Sequence, residues 1–189
     1  MSAGRATAAA KLSAEVSAAM QRLAMAGGRF EVALEQAAEP TAHGLEGVVF
    51  MVAANAGQVL RPLAKVASGG ELSRIGLAIQ VIASQASEVP TLIFDEVDSG
   101  IGGRVAEIVG RMLRQLGGTR QVLCVTHLPQ VAARANWQWA VAKEERSGAT
   151  HTRVRPLSAG ERIDELARML GGVVITETTR KHAAEMLAS

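Results

Sequence analysis

Two acidic residues follow a short apolar run in the middle of the chain. Asp95 and Glu96 come directly after Leu92 to Phe94, a run typical of a buried strand. An aspartate at a strand end can hold Mg²⁺, because that ion keeps several waters and takes few protein ligands. The following glutamate, Glu96, can act as the general base for an attacking water. Taken alone, the pattern also fits a strand that ends in solvent-exposed acids.

A histidine ends a second apolar run. His127 follows Gln121 to Thr126, and a helical segment separates this run from the first. Ligands of parallel sheets bind beyond the carboxyl ends of the strands, so we expect Asp95, Glu96 and His127 to face one crevice. Phosphoryl transfer needs carboxylate, metal, base and a donor to the γ-phosphate together, and His127 fits the donor. The alternative is a structural histidine, with Pro129 opening the next helix.

A glycine-rich segment precedes both runs. In Ser68-Gly69-Gly70-Glu71, the glycines permit close backbone approach, and the start of the following helix offers free N–H groups to an anion. The same segment has the S-x-x-E spacing of a capping box. Asp98-Ser99-Gly100 fits a simple turn. The order and spacing of all four segments on a strand-helix-strand framework favour ATP chemistry over these separate alternatives.

Hydrophobic periodicity predicts the elements that position these residues. The predictions are a helix over 5–26, two antiparallel strands over 29–35 and 47–54, a helix from about residue 71, strands over 92–95 and 121–126 around a helix over 104–116, a late hairpin of 137–143 and 150–157 turning at Ser147-Gly148, and helices over 161–170 and 176–187. The alternation of strand, helix and strand predicts a parallel sheet and an α/β fold.

Composition indicates an ordinary soluble protein. The chain has 189 residues, 48% of them hydrophobic, and a net charge of +2. No apolar run approaches the ~20 residues of a membrane span, so we expect a cytoplasmic protein. The single cysteine, Cys124, is expected to be a buried, reduced thiol. Arg104, Arg111 and Arg114 share helical spacing and could form a basic stripe, although a solvated helix face is the preferred interpretation.

The four segments resemble those of ABC-type ATPases. Ser68 to Glu71 is similar to the signature motif, Leu92 to Glu96 to Walker B, Asp98 to Gly100 to the D-loop and His127 to the switch histidine. The longer stretches over 65–74, 93–101, 124–132 and 166–172 resemble the SMC-like branch, in particular its members that repair DNA double-strand breaks by recombination. This resemblance runs from about residue 20 to the C-terminus.

The resemblance implies a P-loop NTPase-like half-head. Its largely parallel sheet would be flanked by helices, with residues 1–26 as the end of a coiled-coil arm and 27–189 as the C-terminal half of the head. A Walker A loop, G-x-x-x-x-G-K-[ST], is absent, since no lysine follows a glycine. The resemblance places that loop in an N-terminal half, which would be a partner of this chain.

The resemblance also assigns the residues to two ATP molecules sandwiched by two heads. Asp95, Glu96 and His127 would serve the ATP and Mg²⁺ of their own head. Ser68 to Glu71 would serve the ATP of the second head, and Asp98 would lie at the dimer seam. The implied partners are the Walker A half, a second head and DNA at the nucleoid, with no membrane. The alternatives are an ABC transporter ATPase fragment and a non-catalytic interaction module.

Overall fold

In the computed structural model, the described residues are 1–66, 68–85, 89–95, 98, 100–146, 149–171 and 174–188. Their helices are α1 (Ser2–Arg22), α2 (Gly69–Gln85), α3 (Gly103–Leu116), α4 (Pro129–Ala132), α5 (Ala159–Gly171) and α6 (Glu177–Ala188). Their strands are β1 (Arg29–Thr41), β2 (Gly44–Ala53), β3 (Arg61–Pro62), β4 (Thr91–Phe94), β5 (Gln121–Cys124), β6 (Trp139–Arg146) and β7 (Ala149–Pro156). None of the helices in these ranges is long and apolar enough to cross a membrane.

The first two predicted strands form an antiparallel hairpin. β1 and β2 pair with Phe30 opposite Val52, and β3 adds a short third strand next to β2. Phe30 and Val52 are both buried, because side chains directly opposite each other on paired strands lie on the same face of the sheet. The predicted alternation at the start of β1 therefore correctly identified the side that faces the core.

Helix α1 packs along β1 through both apolar and polar side chains. Val16, Met20 and Leu23 are fully buried in the main core. Ser17 Oγ accepts a hydrogen bond from the Phe30 amide at 2.9 Å and donates one to the Phe30 carbonyl at 3.1 Å. Ser13 Oγ accepts from the Val32 amide at 2.9 Å. These serines occupy backbone groups of β1 that do not pair with β2, and so cover an edge that would otherwise be open.

A parallel strand pair forms the centre of the fold. β4 and β5 pair in parallel with Leu92 opposite Val122, and α3 makes the crossover between them. The predicted strand-helix-strand unit is confirmed. The expected largely parallel sheet applies only to this pair among the described strands. The other pairs are antiparallel, because short connections such as the one between β1 and β2 can join only antiparallel neighbours.

The C-terminal elements build a smaller second core. β6 and β7 form the predicted late hairpin, whose expected turn at Ser147-Gly148 lies outside the described residues. Leu166 and Ala167 of α5 and Ala183 of α6 are fully buried against α4. Since α4 also contributes Val131 to the main core, this short helix joins the two cores directly after His127.

Candidate functional site

The ends of β4 and β5 bring the predicted acid and histidine segments to the same edge. The pairing continues past the strands, because the Val125 amide donates a hydrogen bond to the Phe94 carbonyl at 2.9 Å. Asp95 follows Phe94 directly and is exposed, and His127 lies two residues beyond Val125. Glu96, the predicted general base, lies outside the described residues, and so does Ser99.

Asp98 makes the densest set of polar contacts at this edge. Its Oδ2 accepts hydrogen bonds from Thr126 Oγ1 at 2.5 Å and from the His127 amide at 2.8 Å. The His127 Nδ1 atom lies 3.1 Å from the same oxygen. The side chain of Asp98 is only 4% exposed, whereas that of His127 is 73% exposed. In this structure Asp98 therefore contacts its own chain, and its predicted place at a dimer seam stays a prediction.

The hydrogen bonds decide the charge of Asp98. Burial by itself would raise the pKa of this carboxyl. The bonds from Thr126 and from the His127 amide, together with the nearby imidazole, outweigh burial and hold the pKa of Asp98 below its usual value. Asp98 is therefore a carboxylate at neutral pH, which accepts the two hydrogen bonds and places a negative charge beside the His127 imidazole.

Thr126 had no predicted role at this site. Its hydroxyl donates to Asp98 and accepts a hydrogen bond from the Leu128 amide at 3.0 Å, so both of its functions are used. The available clue was a hydroxyl residue at a strand end directly before the histidine. That clue is weak, because threonine is common in strands for reasons of backbone preference alone.

The Ser68-to-Glu71 segment begins α2. Ser68 Oγ accepts a hydrogen bond from the Glu71 amide at 3.4 Å, which is the serine half of a capping box. No return bond from the Ser68 amide to the Glu71 carboxylate occurs among the described residues. The Ser68 side chain and Gly69 are exposed at the helix start, where free N–H groups suit an anion. The geometry thus leaves this end partly capped and open.

The two glycines of this segment have different surroundings. A Cβ added to Gly69 would meet nothing within 4 Å. At Gly70 it would lie 3.4 Å from the Gly100 carbonyl oxygen. Gly100 has a φ of +71°, and a Cβ there would lie 3.1 Å from the Gly70 Cα. The start of α2 and the Asp98-to-Gly100 segment are therefore in backbone contact within one chain.

Two further predictions concern Cys124 and the arginines of α3. Burial raises the pKa of the Cys124 thiol to about 12, helped by Asp98 and Asp95, so this half-buried cysteine stays protonated and unreactive. Arg104 and Arg111 line a groove of about 710 Å³ together with Arg22, and Arg111 pairs with Glu107 at 3.1 Å. Arg114 lies near enough to Arg162 for their charges to interact, and the basic stripe stays a prediction.

The metal assignment is not decided by these contacts. No group of three or more His, Cys, Asp or Glu residues able to hold a metal ion occurs among the described residues. Asp95 still suits Mg²⁺, which commonly takes one or two carboxylates and completes its shell with phosphate oxygens and water. Asp95 as a metal ligand, like the roles of Glu96, His127 and Ser68 to Glu71, stays a prediction.

Solved structures of SMC proteins share this fold. The Smc head domain with a coiled coil from Pyrococcus yayanosii superimposes with a TM-score of 0.68 at 22% identity, over 86% of this chain and 29% of that one. A structure from work on ATP-driven dimerization and DNA-stimulated activation of SMC ATPases gives a TM-score of 0.63 at 19% identity, over 90% of this chain and 96% of that one. The chain has the fold of an SMC-type head, within the α/β class predicted from the sequence.

Sequence relatives identify the family. The DNA repair protein RecN of Vibrio cholerae is 51% identical over 173 residues, which is 91% of this chain and 31% of that protein. RecN of Haemophilus influenzae is 48% identical over 188 residues, which is 99% of this chain and 34% of that protein. A comparison with protein-family models gave no match. The chain belongs to the RecN family and corresponds to part of its C-terminal half. It spans about a third of the length of these relatives.

Proposed function

We propose that this chain is the C-terminal part of a RecN-type ATPase head that acts in the recombinational repair of DNA double-strand breaks. The observation that carries the proposal is the parallel pairing of β4 and β5, which brings Asp95 and His127 to one sheet edge. Ligands of parallel sheets bind at this edge. Relatives named DNA repair protein RecN support the biological role.

Each residue at the edge has a proposed task in ATP hydrolysis. Asp95 is an exposed carboxylate in position to hold Mg²⁺, which would neutralise charge on the phosphates when bound. Glu96 is the proposed base that takes a proton from the attacking water. His127 presents a largely exposed imidazole that can donate a hydrogen bond to the γ-phosphate. These roles require the three side chains to act on one nucleotide.

The start of α2 is the proposed contact to the ATP of a second head. Ser68 and Gly69 are exposed, and the helix end offers amide groups and a positive dipole to phosphate. The space around Gly69 is empty of this chain's own atoms within 4 Å of an added Cβ. The described internal packing would therefore accept a Cβ at this position, and the proposal places a phosphate of the second head's ATP in this open space.

The proposed first partner is the Walker A half of the same head. The sequence has no Walker A loop, and the chain spans about a third of its relatives. Parallel strands are normally covered on both faces. Ile93 of β4 is 72% exposed and Val125 after β5 is 62% exposed, so one face of this strand pair carries apolar surface that a further part of the head would bury.

A second head and DNA are the other proposed partners. One solved structure with this fold comes from work on ATP-driven dimerization and DNA-stimulated activation of SMC ATPases. We propose both properties for the head to which this chain belongs. A protein that repairs the chromosome would act in the cytoplasm at the nucleoid. This assignment rests on the RecN relatives and not on any residue of the site.

The test is ATPase activity after mixing this chain with the Walker A half of a RecN relative. We expect turnover from the mixture, none from either half alone, and loss of turnover with Glu96→Gln, because the mutation removes the base. Equal turnover by the Glu96→Gln mixture would exclude Glu96 as the base. Proven association of the halves without any turnover would favour the non-catalytic interaction module.

A further inference from the structure

His127 is a surface residue held by one of its two ring nitrogens. Its side chain is 73% exposed, yet Nδ1 lies 3.1 Å from Asp98 Oδ2. An exposed histidine without such a contact samples several ring orientations at no great cost. The contact with Asp98 therefore selects one orientation, and in that orientation Nε2 is the nitrogen that remains for a ligand.

Two hydrogen bonds hold the Oδ2 atom of Asp98 in place. Oδ2 also receives the Thr126 hydroxyl at 2.5 Å and the His127 amide at 2.8 Å. Thr126 Oγ1 is itself held by the Leu128 amide at 3.0 Å, so its proton has one direction left, toward Asp98. Hydrogen bonds thus run from the backbone of Leu128 through Thr126 to Asp98, and the Asp98 carboxylate lies 3.1 Å from Nδ1 of the imidazole.

We propose that Asp98 and Thr126 are positioning residues that hold His127 through Nδ1 and thereby present Nε2 to the ligand. Which ring nitrogen carries a proton is set by the hydrogen bond that the other nitrogen makes. The carboxylate of Asp98 cannot donate, and its negative charge 3.1 Å from Nδ1 favours the tautomer with the proton on that nitrogen. Nε2 is then the atom that contacts a phosphate oxygen. That last step rests on the proposed ATPase function, whereas the ring orientation does not.

The direct test is nuclear magnetic resonance of the histidine nitrogens in the ¹⁵N-labelled chain. The other histidines, His43, His151 and His182, serve as internal references, and His127→Gln identifies the His127 signals. We expect the pattern of a ring protonated at Nδ1 in the wild type. Thr126→Ser keeps the hydroxyl and should preserve this pattern.

Two variants should change the signals of His127 alone. Asp98→Ala removes the acceptor, and Thr126→Val removes the hydroxyl at nearly constant side-chain volume. Both should increase the fraction of ring protonated at Nε2, and they should leave the other three histidines unchanged. An unchanged His127 pattern in both variants, with the reference signals showing a folded chain, would overturn the proposal. If Asp98→Ala does not fold, the pair of Thr126 variants still decides the question.

A kinetic test separates this inference from the proposed function. In the mixture with a Walker A half, Thr126→Val should lower kcat about tenfold and leave the KM for ATP nearly unchanged, because misplaced catalytic groups cost rate. Thr126→Ser should restore kcat. If the wild-type mixture is inactive but the nitrogen pattern is as expected, the ATPase proposal fails and the positioning role stands. Wild-type turnover with no effect of Thr126→Val on kcat would refute the positioning role alone.

Discussion

Two helices of this chain begin with serine and glutamate at the same spacing, and their side chains behave differently. Before α5, Ser158 and Glu161 close a full capping box. The Glu161 carboxylate accepts from the Ser158 amide at 2.9 Å and from its hydroxyl at 2.8 Å. Arg155 adds a third hydrogen bond, at 2.6 Å. Each serine hydroxyl also accepts a 3.4 Å bond from the amide of its glutamate, and among the described residues this is the part of the box that Ser68 and Glu71 form.

The residues between serine and glutamate differ by one methyl group. The sequence is Ser68-Gly69-Gly70-Glu71 at α2 and Ser158-Ala159-Gly160-Glu161 at α5. The glycine directly before each glutamate also has different neighbours. Gly70 contacts Gly100, whereas a Cβ added to Gly160 would have nothing within 4 Å. S-x-x-E spacing therefore does not by itself distinguish a closed cap from a helix start that is open to a ligand.

The largest expected effect comes from Gly69→Ala. This change makes the start of α2 identical in sequence to the Ser-Ala-Gly-Glu segment that starts α5. We expect the mixture with a Walker A half to lose about 100-fold in ATP turnover, because a methyl group would keep the second head's nucleotide from its proposed position. The melting temperature of the chain should not fall, since the added Cβ has free space.

Ala159→Gly is the matched control for Gly69→Ala. This change exchanges the same methyl group at the same position of the closed cap, away from the proposed nucleotide. ATP turnover should stay unchanged. Full activity of Gly69→Ala would mean that the open start of α2 is only a weaker cap, and the comparison would lose its functional meaning.

The next effect tests the contact that sets Gly70 apart from Gly160. Gly100→Ala places a Cβ 3.1 Å from the Gly70 Cα at a residue with φ of +71°. The left-handed conformation alone costs an alanine about 1–2 kcal/mol of stability. Gly57→Ala is the control, because Gly57 has a φ of +78° and nothing within 4 Å.

Thermal or urea unfolding of both variants measures the contact. A greater loss of stability in Gly100→Ala than in Gly57→Ala would isolate the contribution of the Gly70 contact. Equal losses would mean that only backbone conformation matters at Gly100, and the start of α2 would then not depend on the segment after β4.

The smallest expected effect is the acid dependence of the closed cap. The hydrogen bonds from the Ser158 amide and hydroxyl, with help from Arg155, lower the pKa of Glu161 to about 2. Because the folded-state pKa lies below the unfolded value of 4.5, the stabilisation is complete above that value and is lost as the pH falls toward 2. Glu161→Gln should therefore flatten the decline of melting temperature with acid, measured by circular dichroism from about pH 5 to about pH 2.

Glu71→Gln is the control for this measurement. Its carboxylate has no return bond to Ser68 among the described residues, so this variant changes the same helix position without breaking a closed cap. Asp98 also has a lowered pKa, so some decline should remain in every variant that retains it. Equal flattening by the two glutamine variants would show that the caps at α2 and α5 are equivalent in solution.

Most of the fold could be predicted from local sequence pattern. Apolar spacing identified α1, α2, α3 and the C-terminal helices, and apolar runs identified β4 and β5. Boundaries differed by a few residues, as at α1, which ends at Arg22 instead of Ala26. The periodic run that marked α2 began at Leu72, yet Leu72 is 43% exposed. Side-chain periodicity predicts that a helix forms. Whether its first turn is buried depends on how the helix packs against the rest of the chain.

The candidate site was predicted in part. Sequence placed Asp95 and His127 at the ends of two strands, and the confirmed parallel pairing puts those ends together. It assigned nothing to Thr126, and it did not foresee that Asp98 would be buried against the histidine. A threonine that completes a hydrogen-bond chain looks the same in sequence as one chosen for strand preference.

The sequence by itself determined the order and type of most elements, the four segments that resemble an ABC-type ATPase, and the lack of a Walker A loop. These features are local, because each depends on residues within one turn, one strand or one short motif. Only the tertiary structure decided that Asp98 contacts Thr126, which lies 28 residues away, and that Gly70 contacts Gly100. The first contact depends on how α3 carries the chain from β4 to β5 and on the register between these strands, and the second depends on how α2 lies against the segment after β4. No local pattern encodes that geometry.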